Sequence, residues 1–165
     1  MFRGRLHALA TGHTLVTEGE WRATSFADLT RVTLEPYLAD ARIQLDVEDV
    51  ALTPELALTL TLACHELATN ACKFGALSVP GGRVALTARV RRGAGGDELQ
   101  VTWCEQGGPA VRVPEQTGFG TNLLVRALEY QHDGHAELDW REEGLVCRLG
   151  VPLKSAGVAG SITTT

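Results

Sequence analysis

In the stretch His65 to Ser78, "HELATNACKFGALS", a carboxylate, an amide and an ammonium recur at a spacing that can do chemistry. Glu66, Asn70 and Lys73 stand at i, i+4 and i+7, which puts all three on one face of an α-helix. Such a stripe offers oxygens to a hard cation and a positive charge to a phosphate. It also has a plain reading, a solvated helix face carrying a Glu–Lys pair, and composition alone favours that one.

A second group strengthens the chemical reading. Leu99, Val101 and Trp103 alternate along an expected strand, and Glu105 continues their side, so its carboxylate should leave the strand end toward the helical layer. The loop that follows is "EQGGP", and a later helix opens with "GFGT". Glycines let backbone approach a ligand closely, and helix N-terminal amides favour anions. A short glycine pair is often no more than an ordinary helix start, so neither segment is decisive alone. Together with the stripe they supply what a metal–nucleotide needs. Asn70 can ligate magnesium, Lys73 and loop amides can meet phosphate, and Glu105 can accept from a base edge.

The elements that must carry these groups can be read from periodicity. Residues 2–16 place Leu6, Leu9, Ala10 and His13 at helical spacing, and "TEGEW" breaks that helix. Ser25 is an N-cap for a helix through "FADLTRVTLEPYL", ending near Pro36. "RIQLDVED" alternates as a strand. Thr53 caps a long helix with Pro54 at its first position, running to about Phe74, where Gly75 is expected to stop it. Strands are expected over Val84–Val90 and Leu99–Glu105, joined across "RRGAGGDE". After the loop "GGPAVRVPEQTGFG", a helix from Thr121 to Gln131 precedes a hairpin of "AELDW" and "LVCRLGV" around "REEG".

Several of these strands have one apolar side: Val84, Leu86, Ala88 and Val90; then Leu99, Val101 and Trp103; then Ala136, Leu138 and Trp140. That implies a sheet covered by helices on a single face. The expected fold class is therefore α/β (α+β), a two-layer sandwich with a mainly antiparallel mixed sheet, rather than a doubly wound one.

Bulk properties bound the function classes. The 165 residues suit one domain with a full core, and 44% hydrophobic against 21% charged residues is a globular balance. A formal net charge of -5 argues against nucleic acid or an anionic membrane as the main partner. Cys64, Cys72, Cys104 and Cys147 are scattered singly, and "MFRGRLHALATGH" has no continuous apolar core of a signal peptide, so reduced thiols and a cytoplasmic location are expected. No apolar run reaches membrane-spanning length, and no direct membrane contact is expected.

The motifs resemble a known family. "HELATNACKFGALS" is similar to the N box of the GHKL ATPases, which share the Bergerat fold, in the variant found in HWE-type sensor histidine kinases. That subfamily has a His in the N box, here His65, and a Trp-x-Glu in the next box, here Trp103-Cys104-Glu105 within "WCEQGGPAV". "GFGTNLLVRAL" resembles the following glycine-rich box, "LDWREEGLVCRLGVPL" the closing strands, and "RLHALATGHTLV" with "WRATSFADL" the segment joining dimerisation helices to the catalytic domain. The likeness runs in order over residues 3–153. It implies a helical dimerisation and phosphotransfer remnant over 1–24 and an ATP-binding catalytic domain over 25–153; the tail over 154–165, small and polar, is expected to be disordered from its composition.

The same resemblance implies roles. Asn70 would ligate Mg²⁺, Glu66 would be the base-like or water-orienting carboxylate, and Lys73 would meet phosphate. His65 and Trp103 belong to the nucleotide-binding set, with His65 read as a packed ring that orients Glu66 or Trp103. Glu105 stands where the family's acid bonds the adenine amino group, followed by Gly107 and Gly108. Gly118, Phe119, Gly120 and Thr121 would close over the phosphates, and residues 109–117 would form a short lid. ATP and Mg²⁺ are the implied cofactors. An acceptor-histidine helix and a response regulator are the implied partners, with a homodimer if the full kinase is present.

One feature departs from the family. Its phospho-acceptor lies in a His-Arg-x-Lys-Asn motif, and neither His7 nor His13 is followed by Lys-Asn. The acceptor is therefore expected outside this chain, which is expected to begin after the acceptor helix. That absence motivates an alternative, a non-enzymatic GHKL regulatory module that binds nucleotide and docks a partner in an anti-sigma-like manner. A GHKL ATPase releasing free phosphate is a third reading, disfavoured because nothing suggests a coupled second domain. "HDGH", His132 to His135, could offer two ligands to zinc, but Asp-Gly is foremost a turn signal. Arg89, Arg91 and Arg92 are most simply solvated on the polar sheet face, with a docking patch as the other reading.

Overall fold

A computed structural model describes residues 24–38, 42–110 and 119–153. The expected helix over 2–16, residues 111–117 of the expected lid over 109–117, and the tail after 153 lie outside them. Strand β1 (Thr24–Ser25) leads into helix α1 (Phe26–Leu34) and a 3₁₀ turn over Glu35–Tyr37. Strands β2 (Ile43–Val47) and β3 (Ala51–Leu52) precede the long helix α2 (Pro54–Lys73) and a second 3₁₀ turn over Ala76–Ser78. Strands β4 (Arg83–Arg91) and β5 (Asp97–Gln106), helix α3 (Phe119–His132) and strands β6 (His135–Arg141) and β7 (Gly144–Leu153) complete the chain.

Local chemistry explains where the helices begin. The Ser25 hydroxyl accepts from the Asp28 N–H at 3.1 Å, and the Thr53 hydroxyl accepts from the Leu56 N–H at 3.3 Å, with Pro54 at the first turn. In α1 the buried positions are Phe26, Leu29, Thr30, Thr33 and Leu34, the spacing of one helical face. Along α2 the buried residues include Leu56, Leu60 and Leu67, and toward the C-terminal end the fully buried positions Ala63, Ala68 and Ala71 are small.

Five strands form the main sheet in the order β2-β4-β5-β7-β6. All its pairings are antiparallel except β2 with β4, which is parallel. A mainly antiparallel mixed sheet is thus what forms. The register lines up Leu86 with Trp103, Trp103 with Cys147, and Cys147 with Leu138, so one row of inward side chains crosses four strands. In the next inward row Val84 pairs with Glu105, and both are buried. A separate two-stranded sheet pairs β1 with β3, tying the start of α1 to the start of α2.

The other face of the main sheet carries ion pairs. Arg89 pairs with Asp46, Arg91 with Glu98 at 3.2 Å, Arg92 with Glu48 at 3.7 Å, and Arg141 with Asp139 at 2.7 Å. The three arginines expected to be simply solvated are therefore solvated and paired. All four cysteines are free thiols. Burial pushes the Cys64 and Cys147 thiols up to about 12, which keeps them as inert core groups. Among the described residues no helix is long and apolar enough to cross a membrane.

Candidate functional site

The α2 stripe extends one step further back than its sequence motif. Thr59 lies two helical turns before Glu66 on the same face. Its hydroxyl shares a hydrogen bond of 2.9 Å with His132 Nε2 at the end of α3. The face bearing Glu66, Asn70 and Lys73 is thus the one that meets α3. Glu66 and Asn70 are half-buried and Lys73 is exposed. Exposure along the stripe therefore rises toward the C-terminal end of the helix.

Glu105 comes to that same end. It is only 3% exposed. Its Oε2 accepts the Ala76 N–H at 2.8 Å, and its Oε1 accepts the Trp103 indole N–H at 3.1 Å. Ala76 opens the turn just beyond α2, so the carboxylate reaches from β5 to the chain that leaves the helix carrying the stripe. A buried carboxylate held by neutral N–H groups keeps acceptor capacity, because each oxygen has two lone pairs.

Gly75 makes this approach feasible. The Phe74 and Gly75 N–H groups both donate to the Asn70 carbonyl, at 2.8 and 3.2 Å, so the helix closes there as expected. The expected reason for a glycine at a helix end is a left-handed φ, but Gly75 has φ -104° and ψ -153°. The requirement is space: a Cβ at Gly75 would lie 2.0 Å from Glu105 Oε2. The glycine leaves a notch for the carboxylate. Gly107 and Gly108 face a similar limit, since a Cβ on them would come within 3.0 Å of Gly81 O and 2.8 Å of Ala76 Cα.

Other expected site residues sort as follows. His65 is half-buried and packs against Tyr37, with ring centroids 6.4 Å apart. Trp103, 1% exposed, stands behind Glu105 rather than at the surface. Phe119, Gly120 and Thr121 form the first turn of α3, which begins two residues earlier than expected, and Gly118 lies outside the described residues. His132 turns to Thr59, while His135 Nδ1 sits 3.9 Å from a Glu98 oxygen. Between them Asp133 adopts φ 53°, the turn that Asp-Gly signals. Among the described residues no three His, Cys, Asp or Glu side chains cluster as a metal site.

Two groups were not singled out from sequence. Phe74 is 74% exposed, a flat ring beside the stripe. Its signal was an aromatic residue directly after the last polar position of the motif. Gly75 was noted only as a helix stop, and its partner lies 30 residues later, beyond the reach of local pattern.

Residues 1–49 match the family model described as HWE histidine kinase. A blue-light-activated histidine kinase of Brucella anthropi is 30% identical over 155 residues, covering 93% of this chain and 32% of that protein. A blue-light-activated histidine kinase of Rhizobium johnstonii is 33% identical over 153 residues, covering 93% and 43%. Over nearly its whole length the chain is similar to segments of these histidine kinases, and over its first 49 residues to the HWE histidine kinase model. It spans less than half the length of these relatives. The fold agrees: the histidine kinase domain of the Erythrobacter litoralis blue-light activated histidine kinase superposes with a TM-score of 0.67 at 19% identity, covering 92% of this chain and 74% of that one. The five-stranded mixed sheet under helices is thus the fold of histidine kinase catalytic domains.

Proposed function

We propose that this chain is the ATP-binding catalytic domain of a two-component sensor histidine kinase, transferring the γ-phosphoryl group of ATP to a histidine. The observation that carries the reading is that two groups come to the C-terminal end of one helix: α2 bears Glu66, Asn70 and Lys73 toward that end, and Glu105 enters the notch at Gly75 just beyond it.

The donor set fits the reaction. Glu105 presents a fixed carboxylate edge that can accept from the exocyclic amine of adenine. Phe74 offers an exposed ring on which a flat base can stack. Asn70 and Glu66 present oxygens one helical turn apart, the hard donors that Mg²⁺ shares with phosphates. The ion, held by Asn70, would supply charge neutralisation at the phosphates. Lys73, exposed at the helix end, brings a cation toward the phosphate chain. Glu66 is the carboxylate positioned to hold or take a proton near the transferred group. Phosphoryl transfer asks mainly for such positioning and electrostatics. The partners follow: an acceptor-histidine helix and, downstream, a response regulator, in the cytoplasm.

The test is transfer itself. The protein is incubated with γ-labelled ATP, Mg²⁺ and a polypeptide carrying an acceptor-histidine helix. Acid-labile label on that histidine is expected. Nucleotide binding with no transfer would overturn the kinase reading in favour of a regulatory module that docks a partner.

A further inference from the structure

The Trp103–Glu105 pair has a geometry that the proposed function does not by itself require. The two residues are two apart on one strand and so share its inward face. The Trp103 ring is 1% exposed, and its single N–H is spent on Glu105 Oε1 at 3.1 Å. The other oxygen is held by the Ala76 N–H at 2.8 Å. A terminal carboxylate torsion is broad and two-fold when unrestrained. Here two donors from opposite elements, one from β5 and one from the turn after α2, fix its plane. The carboxylate is 3% exposed, so a ligand meets only an edge of it, and the rotation of that plane decides where the remaining lone pairs point.

We propose that Trp103 is a positioning residue that sets nucleobase selectivity: its indole N–H orients Glu105 so that the carboxylate edge accepts from a purine bearing an exocyclic amine. The inference rests on the reading of Glu105 as the base-contacting acid. Trp103 touches no ligand and acts through Glu105 alone. Loss of the N–H leaves Ala76 as the single anchor, about which the carboxylate can turn. A base with an exocyclic amine then loses its aligned acceptor. A purine without that amine has nothing to lose.

The Trp103→Phe variant keeps a buried ring and removes the donor. Dissociation constants are measured for ATP and for purine riboside triphosphate, which lacks the amine. The expected result is that the preference for ATP falls about five- to tenfold, the worth of one hydrogen bond, with the affinity for the amine-free nucleotide unchanged. A purely structural role would weaken both equally, and an unchanged ratio overturns the inference. A wild-type protein that binds neither nucleotide contradicts the function proposed above instead.

Should the variant not fold, the wild-type protein still decides. It has three tryptophans, so the Trp103 indole resonance is assigned by replacing Trp21 and Trp140 with Phe. Its N–H signal should move when ATP binds and stay when purine riboside triphosphate binds. Equal movement with both, or none with either, overturns the proposal.

Discussion

The two faces of the five-stranded sheet treat carboxylates in opposite ways. On the outer face acids meet cations: Glu137 lies 3.5 Å from Arg148, Asp139 lies 2.7 Å from Arg141, and Glu98 lies 3.2 Å from Arg91. On the inner face Glu105 is held by an indole and a main-chain amide. An exposed ion pair is screened, neutralised by its partner and worth little. A buried carboxylate held by two N–H donors keeps part of its acceptor capacity, since each oxygen has two lone pairs. Its removal also leaves buried N–H donors without a partner. The contrast separates acids paired on a solvated surface from an acid fixed in the interior, the one proposed to meet a ligand.

The comparison can be broken in order of expected effect. Glu105→Ala should abolish nucleotide binding. It should also cost about 3 kcal/mol of stability in urea unfolding, because the Trp103 and Ala76 donors are both orphaned. Gly75→Ala should cost about 2 kcal/mol, since its Cβ would lie 2.0 Å from the carboxylate oxygen. If that clash is the cause, the cost of the Gly75→Ala/Glu105→Ala pair should fall well below the sum of the singles. Equal, additive costs would mean the notch serves something else.

Asn70→Ala sharpens the ligand side. It should weaken Mg-ATP by about tenfold or more while changing metal-free ATP much less, as read by titration in magnesium and in chelator. On the outer face Arg148→Ala should move stability by less than about 1 kcal/mol and leave nucleotide affinity alone.

The smallest effect concerns pH. The Ser25 hydroxyl donates to Asp49 at 2.7 Å, and this bond, aided by the Ala27 N–H, holds the carboxyl below its ordinary value of 3.8. A depressed folded-state pKa gives stability that is present above the unfolded value and lost as pH falls through the folded one. Stability should therefore decline below about pH 4. Asp49→Asn should flatten that decline by only a few tenths of a kcal/mol, since the group is exposed and screened.

Much of this was legible because alternation and helical spacing are local. The phase of Glu105 followed from Leu99, Val101 and Trp103, and the stripe followed from counting along one helix. Ser25 and Thr53 announced their caps. What was not legible depends on distant partners. Nothing in "RIQLDVED" says that it pairs parallel to β4, because alternation is the same in either direction. The pairing of β1 with β3 involves two residues on each side, too few for a period. Gly75 reads as a helix stop in any local pattern, and its reason is a carboxylate brought in by the sheet. The same limit hid the Trp103–Glu105 bond: alternation puts both residues on one face but does not say that one donates to the other.

Calorimetric titration of Mg-ATP into the wild-type protein, Asn70→Ala and Glu105→Ala tests the central claim most directly. A single saturable site in the wild type, weakened by the first substitution and lost with the second, is the predicted result. No heat of binding in the wild type, or superimposable curves for all three folded proteins, would contradict it.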